Sequence, residues 1–137
     1  GFGALRGLLP PPSRRAVVLI DPPYEIKDDY RHVIDCLRDA MRRFPNGTYA
    51  LWYPMLARPE ARRLPKQLAD LGAQSWLDVR FAVRQPPRDG FGMFGSGMFI
   101  INPPWVLPAR LEETMPWLVS TLGGDDGAGF DLEHHIE

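Results

Sequence analysis

The sequence contains little that would place it outside the cell, in a membrane or around a metal ion. Cys36 is the only cysteine among 137 residues, which excludes an internal disulfide and favours a reducing cytoplasm. No apolar run is long enough to span a bilayer and no signal peptide is apparent, so we expect a cytoplasmic protein with no membrane partner. The histidines His32, His134 and His135 are too scattered to predict a metal site.

An excess of charge of either sign is also lacking. The chain carries 16 basic and 17 acidic residues, which gives a formal net charge of −1. A protein that attracts nucleic acid through its overall charge is therefore not indicated. Any nucleic-acid partner must be met by a local basic patch.

One segment combines a strand pattern with unusual loop chemistry. Residues 16–20 are apolar and mostly β-branched, and they predict a strand that is buried on both faces. Asp21-Pro22-Pro23-Tyr24 follows, and its prolines end the strand because they donate no backbone hydrogen bond and fix φ. Asp21 is thereby placed at the carboxyl end of a strand, where open α/β sheets bind ligands. The alternative is a simple strand-ending turn that Asp21 caps.

The Asp21 tetrapeptide suits group transfer to an aromatic amino nitrogen. The N6 nitrogen of adenine is a poor nucleophile because its lone pair is delocalised into the ring. A carboxylate and a backbone carbonyl can accept its two N–H bonds, which holds the nitrogen and offers the departing proton a base. Pro22 and Pro23 would make the loop rigid, and the ring of Tyr24 would stack on the base.

The rest of the chain alternates helical and strand patterns. A helix capped by Asp28 or Asp29 is predicted to reach Phe44, and a second helix begins at Pro59. Strands are predicted over residues 48–53, which Pro54 ends, and over 75–83 and 97–101 as a hairpin. A third helix covers 111–122, before a short edge strand at 130–136. This order predicts half of a doubly wound α/β sheet with an antiparallel final hairpin.

The proline motif occurs a second time, as Asn102-Pro103-Pro104-Trp105. Local sequence does not choose between the two copies, because both follow apolar strands. Several sheet strands follow Asp21, whereas a helix and a weak edge strand follow Asn102, which also lacks a carboxylate to accept a proton. We therefore predict that the Asn102 copy is structural, with Trp105 packed against the helix that carries Trp117.

Four separated stretches resemble one family, in the same order. They are residues 19–27, residues 47–54, residues 96–98 with 101–105, and residues 116–118. Together they look like the bacterial 23S ribosomal RNA adenine-N6 methyltransferases, which have also been described as proteins involved in catabolism of external DNA. The resemblance implies the C-terminal half, strands four to seven, of a class I S-adenosylmethionine-dependent methyltransferase sheet. Residues 1–137 would then form one catalytic domain without the family's N-terminal cofactor-binding half.

The same resemblance assigns roles to residues. It implies that Asp21 is the proton acceptor and borders S-adenosylmethionine, and that Pro22, Pro23 and Tyr24 cradle the adenine. An Asp-Gly pair upstream of the motif contacts the cofactor in this family, and the spacing implies Gly1 as its second member. The implied substrate is ribosomal RNA, and the chain alone, without the N-terminal half, is not expected to show full activity.

Two alternatives stay open at this point. A DNA adenine-N6 methyltransferase would carry the same motif, because the Asp motif does not distinguish the sugar. A protein-glutamine methyltransferase is less favoured. Those enzymes usually carry Asn in the first place of the motif, and the Asn-containing copy here lies too late in the sheet. A non-catalytic module would instead bind nucleic acid or a partner through its sheet edges. Exposed apolar sheet faces would also favour a dimer.

Overall fold

The computed structural model describes residues 1–137 as four helices and five strands. In chain order they are α1 (Ala4–Leu8), β1 (Val17–Ile20), α2 (Lys27–Arg43), β2 (Thr48–Met55), α3 (Pro59–Ala69), β3 (Trp76–Ala82), β4 (Gly95–Ile101), α4 (Leu107–Leu122) and β5 (Gly129–His135). The α/β class expected from the sequence is confirmed. No helix of this set combines the length and the apolar character that crossing a membrane requires.

The five strands form one mixed sheet in the order β1-β2-β4-β3-β5. β1 and β2 run parallel, with Val17 opposite Thr48, and α2 makes the crossover between them. β4 lies antiparallel between β2 and β3, and β5 pairs antiparallel with the outer side of β3. The predicted hairpin of the third and fourth strands and the predicted final edge strand are both confirmed.

The core lies between the sheet and helices α2 and α3. Alternate residues of β2 point to these helices, which is the period of two that a half-covered strand requires. Side chains with almost no exposure come from both layers: Val33, Leu37, Tyr49, Leu51, Tyr53, Leu64, Leu68, Phe99 and Ile101. This packing fixes the end of β1 and the first turns of α2 and α3, which together surround the Asp21 loop.

The prediction that the first strand is buried on both faces is wrong. Ile20 is buried against the helices, but Val17 is 78 % exposed and Leu19 is 68 % exposed on the opposite face. β1 is an edge strand with a hydrogen-bonded neighbour on one side only. The apolar run indicated the strand correctly, but α2 and α3 cover only one of its faces.

Several predicted boundaries also move, and the last helix begins at Leu107 instead of residue 111. Ile26 occupies the N-cap of α2 and no side chain caps it, so Asp28 and Asp29 lie inside the first turn. Carboxylates at those positions interact favourably with the helix dipole without serving as caps. β2 continues through Pro54 to Met55 instead of ending before it.

Candidate active site

A cavity of about 400 Å³ opens at the carboxyl end of β1. Gly1, Asp21, Pro22 and Pro23 all line it, so the structure brings four of the five predicted site residues together. The remaining lining is mostly apolar and comes from the amino terminus, β1 and α2: Phe2, Ala4, Leu5, Val18, Leu19, Ile20 and Cys36. The arrangement is a concave apolar site with one carboxylate, as expected of a small-molecule pocket.

Asp21 lines this cavity, and its carboxylate is free. Its position is set by β1, because Ile20 pairs with Leu51 immediately before the loop. The Asp21 residue is exposed, and its side chain enters no hydrogen bond or ion pair within the chain. Its oxygens therefore remain available as acceptors for an N–H of a bound molecule.

The loop after Asp21 has a constrained backbone. Pro22 is buried and Pro23 is exposed, so the two rings divide between the core and the surface. Tyr24 adopts a left-handed backbone conformation with φ 53°. Such a conformation costs a residue with a side chain about 1–2 kcal/mol, and it persists only where surrounding contacts hold it.

Those contacts come from the Tyr24 side chain, which points into the core. Tyr24 is 3 % exposed, and its hydroxyl donates a 2.7 Å hydrogen bond to the carbonyl oxygen of Trp52. Its ring centroid lies 4.9 Å from that of Tyr30 and 6.3 Å from that of Trp52. Burial raises the pKa of Tyr24 far above its usual value, so the hydroxyl remains a donor. Tyr24 is the one predicted site residue that does not line the cavity.

Cys36 also reaches the cavity, from α2. It is half-buried, and its thiol lies 3.8 Å from the carbonyl oxygen of Phe2, to which it donates. Burial raises the pKa of this thiol above its usual value, and the carboxylate of Asp39 adds to the shift. A protonated thiol is a poor nucleophile, so Cys36 contributes packing to the cavity wall. No group of three or more His, Cys, Asp or Glu side chains is arranged to hold a metal ion.

The sequence analysis missed two groups of residues at this edge. Phe2 and Leu5 form part of the cavity wall, and their apolar spacing before the first strand was the only available signal. A second cavity is lined by Lys27, Arg31 and Arg63, between α2 and α3. The basic run around residues 58–66 could have indicated it, but only the topology shows that α2 and α3 bring these residues together.

The second proline motif lies at the opposite edge of the sheet. β4 is antiparallel to β2, so Asn102 follows the end of β4 next to the start of β2. The Asn102 Nδ2 donates to the carbonyl oxygens of Pro45 at 2.7 Å and Gly47 at 2.8 Å. Thr48 Oγ1 in turn donates to the carbonyl of Asn102 at 3.0 Å. Asn102 thus joins the end of β4 to the turn before β2, away from Asp21, as the structural role predicted.

The predicted packing of this second motif is wrong in one respect. Trp105 is 82 % exposed and Trp117 is 63 % exposed, so the two rings do not bury one another. α4 begins at Leu107, directly after the motif, and turns the Trp117 side chain outward. Met115 is the buried side chain of α4.

Comparisons with known proteins agree with this architecture. The family model described as "Ribosomal RNA large subunit methyltransferase D, RlmJ" matches residues 1–133. A Haemophilus influenzae protein named "Ribosomal RNA large subunit methyltransferase J" is 46 % identical over 133 residues, which is 97 % of this chain and 47 % of the relative. The Escherichia coli K12 protein of the same name is 44 % identical over 122 residues, 89 % of this chain and 43 % of the relative.

A solved structure shows the same fold. The crystal structure of a Legionella pneumophila protein superposes with a TM-score of 0.87 at 26 % sequence identity, over 98 % of this chain and 49 % of that protein. This chain therefore spans about half the length of the relatives that it matches. Because the family model matches nearly all of it, the chain belongs to the family of ribosomal RNA large subunit methyltransferases described as RlmJ.

Proposed function

We propose that this chain carries the catalytic loop of an enzyme that methylates adenine N6 in 23S ribosomal RNA. The observation that carries the proposal is the free Asp21 carboxylate at an apolar cavity that Gly1 also lines. The names of the two curated relatives, ribosomal RNA large subunit methyltransferase J, support the substrate class. Methylation of ribosomal RNA would take place in the cytoplasm.

We further propose that the fold is the C-terminal part of a class I methyltransferase sheet. The order β1-β2-β4-β3, with an antiparallel β4 inserted between two strands of one direction, supports strands four, five, seven and six of that sheet. Residues 1–137 would act as one catalytic domain. Apart from Gly1, the contacts to the cofactor that the family places N-terminal to the motif would come from outside these residues.

The residues around the cavity fit S-adenosylmethionine as the cofactor. A volume of about 400 Å³ lies within the range of small-molecule sites. Phe2, Leu5 and Val18 offer apolar surface, while Gly1 and Asp21 are the polar border that the family resemblance assigns to the cofactor. When bound, the cofactor would supply a methyl group activated by its positively charged sulfur.

Asp21 would act on the nucleophile. Its carboxylate would accept a hydrogen bond from the N6 amino group. This hydrogen bond would draw the nitrogen lone pair out of conjugation and direct it to the methyl carbon. Methyl transfer would make the nitrogen acidic, and the Asp21 carboxylate would accept its proton. Pro22 and Pro23 keep the loop rigid, so that a loop carbonyl can accept the second N–H bond.

The buried Tyr24 side chain anchors this loop to the core and keeps its backbone in the left-handed conformation. Stacking of its ring on adenine, which the sequence led us to expect, requires the ring to leave Tyr30 and Trp52 when the base enters. We propose that Tyr24 at least positions the Asp21 loop through its hydrogen bond to Trp52.

Methyl transfer by an Asp21→Asn variant tests the proposal. The intact protein would be incubated with labelled S-adenosylmethionine and a 23S ribosomal RNA transcript, and the product nucleosides identified by mass spectrometry. We expect N6-methyladenosine from the wild type. The rate of Asp21→Asn should be reduced by about 10²-fold or more, since one positioned catalytic group is removed. Glu25→Gln is the matched control, because it removes an exposed carboxylate from the same loop and should leave the rate unchanged.

The other outcomes distinguish the alternatives. A wild type that methylates DNA but not RNA would replace the substrate with DNA. An Asp21→Asn variant with the wild-type rate would refute the role of Asp21. A wild type that transfers no methyl group would favour a binding module, and sedimentation would then show whether the exposed face with Val17 and Leu19 forms a dimer.

A further inference from the structure

A basic cavity of about 220 Å³ lies between α2 and α3. Lys27, Arg31 and Arg63 line it with positive charge, and Glu60 is the one acidic residue among its lining. The chain as a whole has a net charge of −1, so this local excess of cations is not a general property of its surface. An anionic polymer such as RNA would need a local basic patch of this kind to bind a chain whose net charge is negative.

The basic cavity lies at the same edge of the sheet as Asp21. Lys27 begins α2 after the loop that leaves β1, and Glu60 and Arg63 belong to the start of α3 after β2. Because β1 and β2 are parallel, the first turns of both helices meet at the carboxyl ends of these strands. The Tyr24 ring packs on Tyr30, which also lines the basic cavity, so the motif loop contacts a residue of this cavity.

The cations of this cavity are only loosely engaged. Lys27 lies 3.6 Å from Glu60, whose side chain is 25 % exposed, and Arg31 lies 3.6 Å from Asp28 in a pair that is mostly exposed on both sides. Arg63 is exposed and forms no ion pair. Exposed pairs of this length contribute little to stability, so a phosphate could replace the carboxylates at small cost. Neither helix start has a side-chain cap, and the carboxylates of Asp28, Asp29 and Glu60 already occupy the first turns.

Tyr30 provides an independent sign of a missing ligand atom. It is 4 % exposed, and its buried hydroxyl donates no hydrogen bond within the chain. The Arg58 side chain lies close enough to this oxygen to offset part of the rise in its pKa. An unpaired buried hydroxyl is unfavourable, and an acceptor oxygen from a bound molecule would satisfy it. Burial raises the pKa of Tyr30, so the hydroxyl keeps the proton that such a bond requires. The Arg58 guanidinium, 5.6 Å from the Tyr30 ring centroid, adds a further cation beside it.

We propose that the cavity between α2 and α3 binds a backbone phosphate of the substrate RNA next to the nucleotide held at Asp21. The inference rests on the proposed function and adds the surface that receives the strand. Lys27, Arg31 and Arg63 supply charge, and Tyr30 supplies a neutral donor. Contacts of this kind position a strand and raise its affinity without reading its sequence.

RNA binding by matched arginine variants tests this inference. The affinity of the intact protein for a labelled 23S ribosomal RNA fragment would be measured at several salt concentrations. Arg63→Gln and Arg31→Gln should each weaken binding about 10-fold at low salt and reduce the slope of log affinity against log salt by about 1. Arg38→Gln is the control, because Arg38 is also an exposed α2 residue with a carboxylate partner three residues away, and it does not line the cavity.

Tyr30→Phe separates binding from folding. The variant loses no hydrogen bond within the chain and removes an unpaired buried hydroxyl, so its unfolding midpoint should be no lower than that of the wild type while its RNA affinity falls. A raised KM for RNA with an unchanged kcat is expected for all three variants. If the wild type methylates RNA and Arg63→Gln binds RNA as Arg38→Gln does, the inference is overturned while the proposed function survives. A cavity that binds a polyglutamate peptide in preference to RNA would also overturn it.

Discussion

The two proline motifs of this chain are anchored by different residues, the first motif by its fourth residue and the second motif by its first. In Asp21-Pro22-Pro23-Tyr24 the first side chain is free and the last is buried, with its hydroxyl bonded to Trp52. In the other copy, Asn102 is bonded to two carbonyl groups and Trp105 is exposed. The second residue is buried and the third exposed in both copies, so the proline pair has the same relation to the core each time.

The difference shows how one tetrapeptide pattern can serve two purposes. When the fourth residue holds the loop, the first can face a cavity with its acceptors unused. When the first residue is used to hold the loop, no reactive group is left at the strand end. In each copy the residue that anchors the loop has a left-handed backbone conformation. Its φ is 53° at Tyr24 and 54° at Asn102. Asn tolerates that conformation better than Tyr does, so the strain is larger in the Asp21 copy.

Truncating the fourth residue of each motif should give the largest contrast. Tyr24→Ala removes a buried aromatic ring and should lower the free energy of unfolding by about 3 kcal/mol or more. Trp105→Ala removes a larger side chain from the surface and should change it by less than about 0.5 kcal/mol. Urea unfolding followed by circular dichroism measures both. Equal losses would mean that Trp105 is held as firmly as Tyr24.

Removing the held side chain of the second motif should have a smaller effect. Asn102→Ala loses two hydrogen bonds to backbone carbonyls, which should cost about 2 kcal/mol, and it leaves the strained φ in place. Asn102→Gly loses the same bonds but accepts the positive φ, so it isolates the conformational part of the loss. The same unfolding assay applies. A folded Asn102→Ala protein without methyl transfer would contradict the structural role.

Alkaline pH should weaken the Tyr24 contact and leave the Asn102 contact unchanged, because an amide does not titrate. Burial raises the pKa of Tyr24 in the folded state, so its contribution is complete below about pH 10, the pKa of an unfolded tyrosine, and is lost as the pH rises above it. Between about pH 9 and pH 11 the wild type should lose about 1 kcal/mol more stability than Tyr24→Phe.

Tyr49→Phe provides the control for this titration. Burial raises the pKa of Tyr49 to about 12, and its hydroxyl donates to the carbonyls of Ala40 and Phe44. Tyr49→Phe should therefore reduce the alkaline loss in the same way, although Tyr49 belongs to neither motif. Identical pH profiles for the wild type and Tyr24→Phe would show that Tyr24 ionises as freely in the folded state as in the unfolded chain.

Much of the fold followed from local patterns in the sequence. Apolar periodicity predicted the helices, and the hairpin and the final edge strand followed from turn residues and strand order. Burial of the first strand was wrong because Val17 and Leu19 look the same whether or not a layer covers them. Pro54 was expected to end β2, but the strand continues to Met55.

The candidate site was predicted in composition but not in geometry. The chain order alone placed Asp21, Pro22 and Pro23 at a strand end, and the family resemblance added Gly1, which the structure sets in the same cavity. The burial of Tyr24 depends on Tyr30 and on the carbonyl of Trp52, and sequence spacing does not reveal such a contact. Lys27 and Arg63 belong to different helices, so only tertiary packing makes them one surface.

The place of β4 in the sheet has a consequence for the order in which the chain folds. β2 pairs with β4, and α3, β3 and the connecting loop must all be synthesised between them. Strands therefore cannot be added to the sheet in the order in which they leave the ribosome. The hairpin of β3 and β4 can form from local contacts, but docking it beside β2 closes a long loop, and such non-local pairing slows folding. Until then, residues 48–55 present an open strand edge to chaperones and to other nascent chains.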